Sequence, residues 1–182
     1  MVWLYLVRHA RPAGTFAEAR DPGLDAAGLA QAEALADRLG PLGPLPIVTS
    51  PLRRTRETAA PLELCWRRSA RIEPAVAEIP SCEDDLVRRG EWLRGVMAGR
   101  WPEQAPDLRA WRAAVVDTLV AIPETSVVVT HYVAINVAVG QATGDARVLC
   151  FAPDHCSVTV MEVASGALRL VERGAEGATR VL

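Results

Sequence analysis

The feature that constrains the fold most is a six-residue apolar run, Val2–Val7 (VWLYLV), which leads directly into Arg8 and His9. A short continuous apolar run is typical of a strand covered on both faces, as in a parallel sheet between two layers of helices. The run SVVVTH at 126–131 has the same character and ends at His131. Two such strands favour an α/β fold.

Strand-like and helix-like segments alternate along the chain, which is the pattern of an α/β protein. Asp25 is the predicted N-cap of the first helix, and Gly40-Pro41 is its predicted end. Besides the two strands above, we predict helices at 24–39, 51–64 (broken or kinked at Pro61), 111–122 and 132–141, strands at 44–50 and 71–76, and a hairpin of 157–163 with 167–173 that turns at Ser165-Gly166.

These elements predict a three-layer α/β/α sandwich with a mostly parallel central sheet and a C-terminal hairpin strand pair. The 182 residues contain no repeat and no linker, so we expect one domain over 1–182. Residues 80–112 combine three tryptophans with proline and glycine breaks, and we predict that they form a short lid insertion over the sheet edge.

Composition narrows the class of protein. Half of the residues are hydrophobic and the net charge is −2, which indicates a globular protein and argues against a nucleic-acid partner. We expect no membrane span and no signal peptide. The four cysteines are scattered without a CxxC pair, which predicts reduced, mostly buried thiols and a cytoplasmic location.

Cationic side chains follow three of the predicted strands. Arg8 and His9 follow the first, Arg53, Arg54 and Arg56 follow the second, and His131 follows the strand at 126–130. Ligands of α/β proteins bind outside the carboxyl ends of parallel strands, so these groups are expected to surround a ligand.

The arginines that follow the second predicted strand favour an anionic ligand. Ser50 is the predicted N-cap of the next helix and Pro51 its first residue, which places the arginines at the positive end of the helix dipole. Such a placement is favourable when an anion such as phosphate binds among them. We expect at least one of the three to face that anion, while others point to solvent or pair with Glu57.

Two histidines at strand ends add reactivity, because imidazole is an effective nucleophile that titrates near neutral pH. The sequence has no HExxH motif and no Cys/His cluster with metal-ligand spacing, so we predict no metal and no cofactor.

Four segments now identify a family. LVRHARP (6–12), DPGLDAAGLAQAEALA (21–36), TSPLRRTRETA (49–59) and VVVTHYVAIN (127–136) stand in the order typical of the histidine phosphatase superfamily, also called phosphoglycerate mutase-like. The sequence resembles that family over most of its length.

The resemblance implies a role for each matching residue. His9 would be the nucleophile that forms a phosphohistidine, Arg8 and Arg54 would bind the phosphoryl group, and His131 would complete the phosphate pocket. Glu78, in AVAEIP, would be the proton donor; the neighbouring acids Glu83, Asp84 and Asp85 are the alternatives.

The sequence departs from the family pattern at Ala10 and Tyr132, where glycine is common. Tyr132 is a candidate substrate contact or a packing residue. Arg11, Thr15 and His155 are further candidate substrate contacts, with exposure on a loop as the alternative for each.

The short insertion favours hydrolysis over transfer to a second hydroxyl. The resemblance therefore implies a metal-independent phosphomonoesterase that acts on a small phosphorylated metabolite through a phosphohistidine. The alternatives are a phosphoglycerate mutase-type transfer, a protein-phosphohistidine phosphatase and a non-catalytic phosphate-binding relative. Neither a nucleic acid nor a membrane is an expected partner, and the sequence leaves the oligomeric state open.

Overall fold

A computed structural model describes residues 1–177. Within these residues, six strands and five α-helices follow in this order: β1 Val2–Arg8, α1 Ala26–Leu39, β2 Ile47–Thr49, α2 Arg53–Trp66, β3 Arg71–Ile72, α3 Leu86–Ala98, α4 Pro106–Val120, β4 Ser126–Thr130, α5 Tyr132–Thr143, β5 Val158–Ala164 and β6 Ala167–Glu172.

The strands form one sheet in the order β3-β2-β4-β1-β5-β6. The first four in this order are parallel to one another, whereas β5 runs antiparallel to β1 and β6 antiparallel to β5. The hairpin turn has Ser165 at φ 51° and Gly166 at φ 75°, which is the left-handed backbone that a tight hairpin requires. The mostly parallel sheet and the C-terminal hairpin are confirmed.

Successive strand residues supply two separate cores. Leu4, Leu6 and Val128 pack on one face with α3, α4 and α5, while Val7 and Val129 pack on the other face with α1 and α2. Because β-strand side chains alternate between faces, a strand buried on both sides has to be apolar at nearly every position. The three-layer sandwich predicted from the apolar runs is therefore confirmed.

Several element boundaries differ from the prediction. The third strand covers only 71–72, because the Glu73 side chain caps a 3₁₀ turn, Pro74–Val76, by accepting a hydrogen bond from the Ala75 amide. The helix predicted at 111–122 begins earlier, at Pro106. Helix α1 begins after Asp25, whose carboxylate accepts from the Gly28 amide, so its predicted cap is confirmed.

Helix α2 corrects two predictions. It runs through Pro61 without a break, and its N-cap is Leu52 rather than Ser50. The Ser50 hydroxyl oxygen accepts a hydrogen bond from the Leu52 amide (3.2 Å) and lies 2.8 Å from His131 Nε2. The hydroxyl that was expected to cap the helix is therefore also a hydrogen-bond partner of the histidine.

Two further expectations concern the burial of the cysteines and the absence of a membrane-spanning helix. Cys65 and Cys82 are exposed, so the prediction of mostly buried thiols is wrong for two of the four. Within residues 1–177, none of the helices combines the length and apolarity needed to cross a bilayer.

Candidate active site

The carboxyl ends of β1, β2 and β4 lie side by side in the sheet, so the groups that follow them meet. His9 follows β1, Arg54 lies in the first turn of α2 after β2, and His131 follows β4. All three are buried, and Arg54 bridges the two imidazoles: its Nε lies 3.2 Å from His9 Nε2, and its Nη2 lies 3.2 Å from His131 Nδ1.

The hydrogen bonds of His9 define its tautomer. Its Nδ1 lies 2.8 Å from the Ala10 carbonyl oxygen, which can only accept, so Nδ1 carries the proton. Its Nε2 accepts from the Arg54 Nε–H and therefore carries the lone pair. Burial and the nearby charges of Arg54 and Arg8 lower the pKa of His9 well below its usual value. His9 is thus a neutral imidazole with a nucleophilic nitrogen.

The three arginines after β2 have different surroundings. Arg54 is buried, and the opposing carboxylate of Asp21 stands 3.9 Å from its Nη1. Arg53 is exposed and pairs with Glu57 at 2.6 Å, and Arg56 is exposed as well. One arginine therefore faces the cluster and two lie outside it.

His131 lies beneath Arg54 and is fully buried. Because Arg54 can only donate, His131 Nδ1 accepts, so His131 Nε2 carries the proton and donates it to the Ser50 hydroxyl. Both ring nitrogens are thus engaged by the protein. The structure brings His131 into the cluster, in contact with Arg54, and His131 is not among the residues that line the cavity.

Glu78 lies close to His131, and the charges of Arg54 and Arg8 act on it. Its Oε2 lies 3.8 Å from His131 Nδ1, its side chain is 6 % exposed, and its Oε1 accepts from the Ile79 amide at 3.0 Å. Burial raises the pKa of this carboxyl, while the nearby Arg54 and Arg8 oppose the shift. A carboxylic acid with a raised pKa is suited to donate a proton to a leaving group.

The three neighbouring acids have other contacts. Asp84 pairs with Arg20 and its side chain is 96 % exposed, Asp85 caps α3 by accepting from the Arg88 amide, and Glu83 accepts from the Asp85 amide. None of the three lines the cavity that Glu78 lines.

Arg8 is fixed at the end of β1 by the loop before β5. Its Nη1 donates to the Pro153 carbonyl at 2.9 Å, and its guanidinium lies 4.8 Å from the centre of the Tyr132 ring. Burial lowers the pKa of Arg8 to about 10, so the side chain remains charged at neutral pH. Tyr132, the residue that replaces a common glycine, therefore positions this cation and also lines the cavity.

The cluster opens into a cavity of about 520 Å³. His9, Arg8, Arg54 and Glu78 line its floor, and the loop 11–22 forms most of its wall, including the candidate contacts Arg11 and Thr15. Arg11 Nε donates to Asp25 at 2.6 Å, and the Thr15 amide donates to Glu18 at 2.8 Å. His155 and Tyr132, the other two candidate contacts, line the cavity too.

The predicted lid segment, 80–112, does not line the cavity and instead supports the loop 11–22 from outside. Asp84 binds Arg20, and the Arg89 guanidinium lies 3.6 Å from the centre of the Phe16 ring. Of the tryptophans, Trp101 is a core residue, and Trp92 and Trp111 pack against the same core.

Some cavity residues escaped sequence reasoning, namely Phe16, Arg20, Gln31 and Asp154. Phe16, Arg20 and Asp154 lie in loops outside the four family segments, and Gln31 lies on helix α1 within the segment 21–36. The one signal available for Asp154 was its place beside His155, directly before a predicted strand.

The chain was compared with known protein families and with curated proteins. The family model of the histidine phosphatase superfamily (branch 1) matches residues 4–176. Among curated proteins, none matches this sequence significantly.

Solved structures with the same fold include phosphatases from three sources. A phosphoserine phosphatase from Entamoeba histolytica in complex with 3-phosphoglyceric acid has a TM-score of 0.76 at 19 % identity, covering 96 % of this chain and 98 % of that one. A putative alpha-ribazole-5'-P phosphatase from Escherichia coli has a TM-score of 0.74 at 17 % identity, with 98 % and 99 % covered. A mycobacterial glucosyl-3-phosphoglycerate phosphatase in complex with VO3 has a TM-score of 0.73 at 22 % identity, with 97 % and 100 % covered.

These structures support the fold, and the family match extends over nearly the whole chain. The motif residues that suggested the family from the sequence are the ones that the fold brings together at the ends of β1, β2 and β4. The chain therefore belongs to branch 1 of the histidine phosphatase superfamily.

Proposed function

We propose that this protein is a metal-independent phosphomonoesterase that hydrolyses a small phosphorylated metabolite through a phosphohistidine intermediate. One observation carries the proposal. His9, whose Nε2 carries the lone pair and accepts from Arg54 Nε–H, lines the same cavity as two buried guanidinium groups and a buried carboxyl group. These are the groups that phosphoryl transfer through histidine requires.

In the first step, His9 Nε2 attacks phosphorus while the bond from phosphorus to the ester oxygen breaks. The proton of Glu78 goes to that oxygen, so the product alcohol leaves neutral. Arg8 and Arg54 stabilise the charge that the transition state spreads over the non-bridging oxygens. Fixed guanidinium groups can supply that charge where other phosphatases use a metal ion.

In the second step, Glu78 is a carboxylate and accepts a proton from water. The water oxygen bonds to phosphorus, the bond from phosphorus to Nε2 breaks, and inorganic phosphate and neutral His9 remain. The bond from His9 Nδ1–H to the Ala10 carbonyl holds the ring in one tautomer through both steps.

Two pKa shifts of opposite sign support this assignment. Burial and arginine charges lower the pKa of His9, so the nucleophile is neutral, and burial raises the pKa of Glu78, which favours the protonated acid. Titratable groups whose environments separate their pKa values in this way commonly divide acid and base roles.

The substrate class rests on the cavity and on relatives. A volume of about 520 Å³ suits a small organic phosphate. The three similar structures are phosphatases of phosphoserine, alpha-ribazole-5'-P and glucosyl-3-phosphoglycerate, which supports a phosphorylated metabolite as the substrate. All four cysteines are free thiols, which supports a cytoplasmic location.

The test is hydrolysis of an aryl phosphate from about pH 5 to about pH 8 with a chelator present, comparing the wild type with His9→Ala. We expect turnover in the wild type and none in the variant. Acid-stable protein labelling is not expected, because phosphohistidine is acid-labile; rapid quenching in alkali should trap a phosphorylated wild type and leave His9→Ala unlabelled. Turnover that survives in His9→Ala would refute the mechanism.

A further inference from the structure

The loop 11–22, which forms most of the cavity wall, is held at its base by contacts that are close in sequence. The Ala13 amide donates to the Gly23 carbonyl at 2.8 Å, and the Arg11 amide donates to Gln31 Oε1 at 2.9 Å. These bonds join the start of the loop to its own return and to α1. The position of the base is therefore fixed locally.

The tip of the loop, defined here as residues 14–20, is held differently. Within the tip, two amides donate to the Thr15 carbonyl at 3.1 Å, which closes a turn without attaching it to the rest of the protein. Among residues 1–177, the polar contacts that reach the tip from outside come from the segment at the start of α3, namely from Asp84 and Arg89. The direction of the tip therefore depends on that distant segment.

Arg89 makes a double contact with the tip. Its guanidinium lies 3.6 Å from the centre of the Phe16 ring, and its Nη1 donates to the Phe16 carbonyl at 3.3 Å. Phe16 is 8 % exposed and belongs to the core on the α3 side of the sheet. One cation thus fixes both the ring and the backbone of a wall residue, and cation–π contacts gain strength as they are shielded from water.

Asp84 makes a weaker attachment. Arg20 Nη2 donates to Asp84 Oδ1 at 2.7 Å and to the Asp84 carbonyl at 3.0 Å. The two side chains are 56 % and 96 % exposed, however, and exposed ion pairs contribute little because water and salt screen them. This comparison favours Arg89 as the residue that holds the tip.

We propose that Arg89 is a positioning residue that sets the affinity for the organic part of the substrate by fixing the loop tip as a cavity wall. Arg89 is not among the residues that line the cavity, whereas Phe16 is, so Arg89 acts through Phe16. If the tip moves away, the organic group loses its wall, while the phosphoryl group keeps Arg8 and Arg54 at the floor. The inference rests on the proposed function and assigns substrate selection to one part of its site.

The first experiment measures amide hydrogen exchange of the whole protein in wild type and Arg89→Met. Methionine keeps an apolar stem against Phe16 and removes both the charge and the donor. We expect the Glu18 and Ala19 amides of the tip to exchange about 2- to 30-fold faster, the range of one cation–π contact, while amides of α1 keep their wild-type rates. Equal exchange at the tip in the two proteins would overturn the inference, whatever the activity of the protein.

The second experiment follows hydrolysis of nitrophenyl phosphate, with inorganic phosphate as an inhibitor. In Arg89→Met, we expect kcat/KM to fall about 2- to 30-fold, because the nitrophenyl group loses part of its wall. We expect kcat to change less than about twofold, because the nitrophenol has left before the phosphohistidine is hydrolysed.

The inhibition constant of inorganic phosphate separates the tip from the floor of the cavity. Phosphate has no organic part and needs the arginines of the floor, so its inhibition constant should change less than about twofold in Arg89→Met. A rise in this constant as large as the fall in kcat/KM would contradict the inference, because it would place the effect at the floor.

Two matched variants complete the test. Arg89→Lys keeps a cation that can lie on the Phe16 ring, so it should recover most of the wild-type kcat/KM and exchange protection. Arg88→Met removes an exposed cation from the same helix and should leave both unchanged. A loss in Arg88→Met equal to that in Arg89→Met would refute the positioning role. A wild type without turnover would instead refute the proposed function, and the exchange rates would still decide whether Arg89 holds the tip.

Discussion

Replacing Glu78 by glutamine tests most directly whether Glu78 is the proton donor while His9 is the nucleophile. The change keeps the size of the side chain, and the amide oxygen can still accept from the Ile79 amide, as Oε1 does at 3.0 Å. It removes the proton that burial retains on this carboxyl by raising its pKa. The charge cluster stays intact, because Arg8 and Arg54 are unchanged.

The expected loss depends on the leaving group. General acid catalysis contributes about 10²- to 10⁴-fold when the leaving oxygen is a poor one, so kcat/KM for an alkyl phosphate should fall by that factor. An aryl phosphate with a nitrophenolate leaving group needs little protonation, so we expect its first step to be nearly unaffected and a burst of nitrophenol to persist. The later hydrolysis of the phosphohistidine should slow, because Glu78 also activates the water.

The pH dependence gives a second readout. Activity requires neutral His9, whose pKa is lowered, and protonated Glu78, whose pKa is raised. In the wild type, kcat/KM for the alkyl ester should therefore fall toward acid as His9 protonates and toward alkali as Glu78 ionises. Glu78→Gln should lose the alkaline decline that belongs to Glu78.

Glu83→Gln is the matched control, because Glu83 lies five residues away and does not line the cavity. It should retain wild-type rates with both esters. Equal losses of kcat/KM, which reports the first step, for alkyl and aryl esters in Glu78→Gln, in a protein that melts like the wild type, would refute the proton-donor role.

Further predictions concern the phosphate site and the loop that forms its wall. Arg54→Ala should lower kcat/KM about 10²- to 10³-fold, as expected for one preorganised donor, while the exposed Arg56→Ala should change it less than about twofold; steady-state kinetics on both proteins decides this. Gly28→Ala should destabilise the protein by about 1–3 kcal/mol, because a Cβ there would lie 2.1 Å from the Arg11 carbonyl oxygen. Thermal melts should show a fall of roughly 2–12 °C. Gly95→Ala, with open space around its Cβ, should raise stability, and a Gly28→Ala melt equal to wild type would contradict the close approach.

The sheet could be predicted from the sequence because the apolar pattern of a buried strand lies within a few consecutive residues. A strand covered on both faces must be apolar at nearly every position, and β1 and β4 are. Likewise, residues that follow parallel strands must meet at one sheet edge, so the grouping of His9, Arg54 and His131 could be anticipated from order alone. The start of α2 could not, because the Ser50 hydroxyl contacts His131, a partner that only the fold supplies. The early end of β3 follows from a local contact of Glu73 with the Ala75 amide, which a pattern of apolar residues does not reveal.

The roles of the candidate residues divide in the same way. The order of the elements along the chain fixes which residues reach the carboxyl ends of the parallel strands. The family motifs name those residues. Which of three arginines faces the cavity and which loop forms its wall depend on side-chain packing between segments that are distant in the sequence. Arg54 with His9 and His131, and the loop 11–22 with Asp84 and Arg89, are contacts of that kind. By itself the sequence determined the architecture and the types of reactive side chain at the site. The tertiary structure alone decided how these side chains are arranged, because hydrogen-bond direction and burial exist only once distant segments are packed together.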